Sequence, residues 1–227
     1  LDAGHRVVLA SRGLVPETGE WLSDLVVNAT PCRRVGVLAG PAVAAEVVSG
    51  KPAALVVASA FDEICSITQT ALHSGQCRVY SSHDMRGVEL AGAMVRVLGV
   101  ALGIAEGVDL GVGSKGVIVT RGLAEATRLG AVLGARENTF SGLAGVGDLV
   151  TTASSLNHPG MAAGIAVARG GGIDAPILNE ARSVLALAAR HDVEMPLSRA
   201  VVAICTGEMR PRLAFDELMR RAARPEG

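Results

Sequence analysis

Aromatic side chains are almost missing from this chain: one Trp, one Tyr and three Phe make up 2% of its 227 residues. A core without aromatics has to be filled by Ala, Val and Leu, and 49% of the residues are apolar. Side chains this small let helices and backbones approach closely. An excess of one charge is missing too. There are 21 basic and 22 acidic residues, for a net charge of -1, which leaves no electrostatic footprint for nucleic acid or an anionic membrane surface. Patterned cysteine is absent: Cys32, Cys65, Cys77 and Cys205 form no C-x-x-C and stand beside no histidine pattern. The expectation is free thiols in a reducing cytoplasm, with no metal site. No apolar run opens the chain, since Asp2, His5 and Arg6 interrupt it, so no signal peptide is expected. The stretch from Leu149 to Ala168 lacks charge, but Thr151, Thr152, Ser154, Asn157 and Pro159 argue against a membrane span. The chain begins at Leu1 without a methionine and as if inside an element, which points to a fragment or a lost N-terminus.

What is present divides in two. Short β-type runs at Val7–Ser11, Val35–Ala39, Ala54–Ala58 and Arg78–Ser81 alternate with helical segments at Pro16–Asn28, Val43–Ser49 and Phe61–His73. This alternation predicts an α/β unit with some parallel pairing, and the continuous apolar runs predict cover on both faces. From His83 the β signal fades. Helices are expected at Val88–Ala105, Val117–Leu133, Gly160–Arg169, Pro176–His191, Leu197–Thr206 and Phe215–Arg224. In the second of these, Val119, Leu123, Ala126, Gly130 and Leu133 would share the apolar face. Arg121 and Glu125 would form an exposed i,i+4 pair on the other side. The expected domains are residues 1–82, α/β, and residues 83–227, all-α.

A G-x-G-x-x-G occurs at Gly111, Gly113 and Gly116. A dinucleotide loop needs a strand before it and an acidic residue well after it, and the preceding residues read as helical, so the nucleotide reading is set aside.

Six blocks occur in order: ASRGLVPETG from Ala10, LAGPAVAAEVVSGKPAALVVAS from Leu38, GVELAGAMVRVLGVALGIAEG from Gly87, TRGLAEATRLGAVLGA from Thr120, TFSGLAGVGDLVTT from Thr139 and VEMP from Val193. Together they resemble the bacterial NAD(P)-dependent glycerol-3-phosphate dehydrogenases. The resemblance implies a partial Rossmann-type sheet that lacks its first βαβ units, followed by a helical domain like that of 6-phosphogluconate dehydrogenase. It implies NAD(P) as cofactor and glycerol 3-phosphate or dihydroxyacetone phosphate as substrate. The apolar first strand and the small-residue helices point to a homo-oligomer, in the cytoplasm that the free thiols suggest. Without the earlier units, the first strand would be left as an apolar edge needing cover.

The resemblance places Asp148, Thr152 and Lys115 in the catalytic wall, Gly40, Ala42 and Arg12 near substrate, and Ala44 and Arg12 near cofactor. Arg12 stands where the family has a lysine. The family's catalytic lysine falls on Val95, its neighbouring asparagine on Arg96, and its Arg-Asn phosphate clamp near His158, Pro159 and Gly160. Valine cannot transfer a proton, and acid–base catalysis is worth about 10²–10⁴ in rate. The expectation from sequence is therefore impaired or absent activity, and the alternative is a pseudoenzyme serving as a structural or binding subunit. On the residues alone, Asp148 reads as a helix or turn cap, Lys115 as a solvated helix start, His158 as a loop histidine and Trp21 as a packing anchor.

Overall fold

The structure is a computed structural model that describes residues 1–16, 18–173 and 175–220. Four strands, β1 (Arg6–Leu9), β2 (Arg34–Ala39), β3 (Ala53–Ser59) and β4 (Cys77–Ser82), form one sheet in the order β1-β2-β3-β4. β1 is parallel to β2 and β3 is parallel to β4, but β2 and β3 are antiparallel. Each strand lies within two residues of its expected run. The parallel pairs are joined through α1 (Leu22–Ala29) and α3 (Asp62–Leu72). Between β2 and β3 the chain turns at Gly40-Pro41, makes the short α2 (Ala44–Val48) and returns through Gly50. That connection reverses the strand instead of crossing the sheet. Gly40 has a φ of 125°, and a Cβ there would lie 3.0 Å from the Ala54 carbonyl. Only glycine fits that turn.

The helix expected from Pro16 starts later, at Leu22. Thr18 N–H donates to the Pro16 carbonyl at 2.8 Å and Gly19 N–H to the Val15 carbonyl at 3.0 Å, while Leu14 bridges to Trp21. Pro16 fits the first position of a turn as well as that of a helix, and here the turn wins. Glu17, expected in that helix, lies outside the described residues.

The rest is helical: α4 (Met85–Gly107), α5 (Val112–Val132), α6 (Glu137–Ser141), α7 (Asp148–Ala153), α8 (Pro159–Ala168), α9 (Ala175–Arg190), α10 (Pro196–Cys205) and α11 (Pro211–Arg220). The expected last helix ran to Arg224, and its end lies outside the described residues. A single π-helical turn, Leu143–Gly147, precedes α7. α4 is the axis of the molecule. It is long and apolar enough to cross a membrane, but 94% of its apolar stretch is buried inside the protein, as in a core helix. α8 packs against it through small residues. A Cβ on Gly103 would strike the Met161 carbonyl, and one on Gly164 would strike the Val100 carbonyl. The scarcity of large side chains thus appears as two helices in backbone contact.

The apolar face of α5 is wider than expected. Ala126 and Gly130 are buried and Val119, Leu123 and Leu133 pack on the core as expected, but Ile118, Gly122, Glu125 and Leu129 are buried too. Glu125 is therefore not Arg121's surface partner. Its carboxylate reaches α10, accepting from Leu197 N–H at 2.5 Å, Ser198 N–H at 3.1 Å and Ser198 Oγ at 2.9 Å. These are orphan donors at a helix N-terminus that also favours negative charge.

Two polar clusters tie the sheet side to the helices. Asp84 caps α4 through Gly87 N–H at 2.9 Å, and also accepts from Arg136 N–H at 2.9 Å and Thr139 Oγ1 at 2.6 Å. Glu89 of α4 accepts from Ser23 N–H at 3.0 Å and Ser23 Oγ at 2.7 Å. Arg86 grips Asp24 with bonds of 2.7 and 2.8 Å and lies 4.8 Å above the Trp21 ring. Trp21 thus anchors α1 partly through a cation–π contact.

Candidate active site

The loop after β1 carries Arg12 into the space between the sheet and the helices. Its Nη2 donates to the Gly40 carbonyl at 3.3 Å. Its Nη1 lies 2.7 Å from Asp148 Oδ2, at the first residue of α7. At that distance the guanidinium and the buried carboxylate form an ion pair. Asp148 is buried, and its side chain does not cap α7. The π-helical turn just before it packs Gly147 on Pro41, so that a Cβ on Gly147 would lie 3.4 Å from Pro41 Cγ. The turn seats Asp148 against the end of β2, and such turns recur at functional sites.

A second ion pair lies beside the first. Arg96 of α4 pairs through Nε with Oε2 of Glu180 on α9. Glu180 has only 7% of its side chain exposed, and its Oε1 is buried with no hydrogen-bond partner. Gly13, with φ of 104°, lets the loop pass against this carboxylate, because any Cβ there would strike it. Burial pushes Glu180 up to about 7, against the opposing pull of Arg96 and Arg12. Burial likewise pushes Asp148 up to about 6, against the pull of Arg12.

Thr152, fully buried on α7, has its Oγ1 3.5 Å from Nε2 of His158. His158 precedes α8 and is half-buried, with Nδ1 enclosed and unpartnered. Burial lowers its pKa below the ordinary value, and the Arg12 and Arg96 charges lower it further. The expected loop histidine is thus a neutral imidazole at the edge of the cluster.

The residues singled out from sequence separate into two groups. Arg12, Gly40, Asp148 and Thr152 come together with Arg96, Glu180 and His158. Ala42 follows in the Gly40 turn, with its N–H on the Gly40 carbonyl at 2.8 Å, and Ala44 is exposed at the start of α2. Lys115 is not a free helix-start lysine: it pairs with Glu106 across the α4–α5 connection. Val95 is 1% exposed and offers only methyl groups. Sequence reasoning missed Glu180, although a signal existed. Glu180, Val184 and Leu187 recur at helical spacing on one buried face of α9, and a carboxylate on an apolar stripe calls for a partner.

The glycine motif takes no part in a nucleotide cradle. Gly111 is the N-cap residue of α5, Gly113 and Gly116 lie within that helix, and the element before it is α4. Among the described residues no glycine-rich loop follows a strand to open a helix. These residues therefore do not form a pyrophosphate site for a dinucleotide.

The chain thus joins a mixed α/β sheet to a helical part, with a buried polar cluster between them. The structure superimposes on glycerol-3-phosphate dehydrogenase from Coxiella burnetii with a TM-score of 0.91 and 33% identity, over 97% of this chain and 70% of that one. Residues 1–65 match the N-terminal part of NAD-dependent glycerol-3-phosphate dehydrogenase, and residues 84–216 match its C-terminal part. In sequence, 42% identity relates it to glycerol-3-phosphate dehydrogenase [NAD(P)+] of Methylibium petroleiphilum, over 95% of this chain and 68% of the relative. The enzyme of that name from Streptomyces griseus is 40% identical over 100% of this chain and 70% of its own length. The chain belongs to the NAD-dependent glycerol-3-phosphate dehydrogenase family, and it spans about two thirds of the length of these relatives.

Proposed function

We propose that the protein carries out the reaction its relatives are named for, the NAD(P)-linked interconversion of glycerol 3-phosphate and dihydroxyacetone phosphate. The observation that carries this reading is the buried cluster of Arg12, Asp148, Arg96 and Glu180 at the seam of a family-wide fold. A buried cluster of this kind costs stability, because replacing buried ion pairs by apolar residues is often neutral or favourable. Two raised carboxyl groups and a neutral histidine beside two guanidinium groups are the means for binding a polar substrate and moving its proton. Arg12 and Arg96 supply the positive charge for an anionic ester, and Thr152 and His158 supply neutral hydrogen-bonding groups.

A second reading, a ligand-binding subunit without turnover, draws on Val95. Its methyl groups lie on α4 one residue before Arg96, and they can move no proton.

One assay separates the two. Purified protein is given dihydroxyacetone phosphate with NADH or NADPH, and loss of the reduced nucleotide is followed. The expected result is oxidation that requires the phosphate ester and saturates with it. No turnover with either nucleotide, together with saturable binding of the ester, would replace the first reading with the second.

A further inference from the structure

We infer that Glu180 is the acid–base group of this site, donating a proton to the C2 oxygen of the substrate ketone and accepting it back from the alcohol. This inference rests on the reaction proposed above.

Four observations carry it. Glu180 is more than nine-tenths buried, yet one of its oxygens has no partner at all. Buried polar atoms are nearly always satisfied, and a native exception calls for an explanation. The other oxygen is held by Arg96, so the carboxyl group is oriented and its ionised form has a fixed counter-charge. Gly13, whose φ of 104° already calls for glycine, packs directly against this carboxylate. The charges that act on it come from two neighbouring elements, Arg12 from the loop after β1 and Arg96 from α4. They leave Glu180 able to hold or release a proton near neutral pH, where a general acid–base group is most effective. Lys115, the nearest alternative by sequence, is engaged with Glu106.

The proton balance is simple. As the C2 carbonyl becomes an alcohol, a reduced nicotinamide would supply the hydride for carbon when bound. The proton for oxygen comes from the Glu180 carboxyl, which is left as a carboxylate against Arg96. In the oxidative direction Glu180 takes that proton and returns it to water.

The test uses the full protein and its Glu180→Gln and Glu180→Asp variants. Steady-state rates with dihydroxyacetone phosphate and NADH are measured across pH, and carboxyl protonation is followed by infrared difference spectroscopy of the unliganded protein. Circular dichroism checks that each variant is folded. Three results are expected. Glu180→Gln lowers kcat by about 10²–10⁴ with a much smaller change in KM. Glu180→Asp keeps part of the rate and moves the pH profile. The infrared band of a protonated carboxyl that disappears on raising the pH through neutrality is missing from Glu180→Gln. An active wild type with a Glu180→Gln variant of equal kcat and unchanged pH profile would overturn the inference alone. So would a wild type without a carboxyl titrating near neutrality. A wild type that turns over nothing would overturn the underlying reading, and this inference with it.

Discussion

Arg12 and Asp148 meet at 2.7 Å with the Asp148 side chain 3% exposed, so a loop of the sheet and a helix of the second half share one buried ion pair. Removing one member of such a pair leaves a buried charge uncompensated, which costs about 3–5 kcal/mol. Arg12→Ala should lower unfolding stability by about that amount in urea. In a double-mutant cycle, adding Asp148→Asn should recover part of the loss. Strict additivity would show that the two groups do not interact in solution.

The cap of α10 makes a second prediction. Glu125→Ala removes the acceptor for two backbone N–H groups and one hydroxyl, all buried. Each unsatisfied group costs about 1–3 kcal/mol, so a total loss of about 3 kcal/mol or more is expected. Arg121→Ala, by contrast, should stay within about 0.5 kcal/mol, as surface substitutions do. Thermal melts of the two variants distinguish a buried cap from a surface ion pair at Glu125.

Glycines of the two kinds should respond in opposite directions to alanine. Gly103→Ala places a methyl against the Met161 backbone carbonyl, where it cannot be absorbed by a rotamer change, and should destabilise by about 1–3 kcal/mol. Gly113→Ala and Gly116→Ala meet nothing within 4 Å and lie inside α5. They should stabilise by roughly 0.5–1 kcal/mol each through helix propensity. Loss of folding or of nucleotide dependence in these two variants would reinstate the nucleotide-loop reading of the motif.

Stability should also depend on pH in a defined direction. Glu180 rises from 4.5 in the unfolded chain to about 7 in the fold, because burial disfavours its charge. The folded state therefore holds this proton more tightly than the unfolded one. The associated stability is complete below the unfolded value and is lost as pH rises through the folded value. At about 1.4 kcal/mol per unit over that rise, the ceiling is about 3.5 kcal/mol. Asp148 acts in the same direction between 3.8 and about 6. Glu89 and Glu125, both raised chiefly by burial, add to the trend. His158, lowered by burial and by Arg12 and Arg96, opposes it, since its contribution is present above its unfolded value and fades on acidification. The melting temperature should fall from about pH 5 to about pH 7.5, and Glu180→Gln should flatten that slope. An unchanged slope would show that Glu180 is ionised throughout.

The linear chain settled what local physics can settle. Apolar runs bounded by Gly40-Pro41 and Gly50 marked the strands within two residues, and the fading of that pattern after His83 marked the change to helices. The near absence of aromatics already implied a small-residue core, which the α4–α8 contact at Gly103 and Gly164 displays. Ordered motifs carried the family, since six blocks in sequence are far more specific than any one of them.

Tertiary structure decided the chemistry. Glu125 looked like an ordinary surface charge, and Glu180 drew no reading at all, because periodicity assigns a face only relative to neighbours and burial is a property of what packs there. Pro16 satisfied a helix rule and a turn rule equally, and the contact of Leu14 with Trp21 chose between them. Position by position, Val95 marks a missing proton donor. Only the packing of α9 against α4 brings the Glu180 carboxylate to Arg96, from a residue far along the chain, and a through-space ion pair leaves no trace in linear spacing.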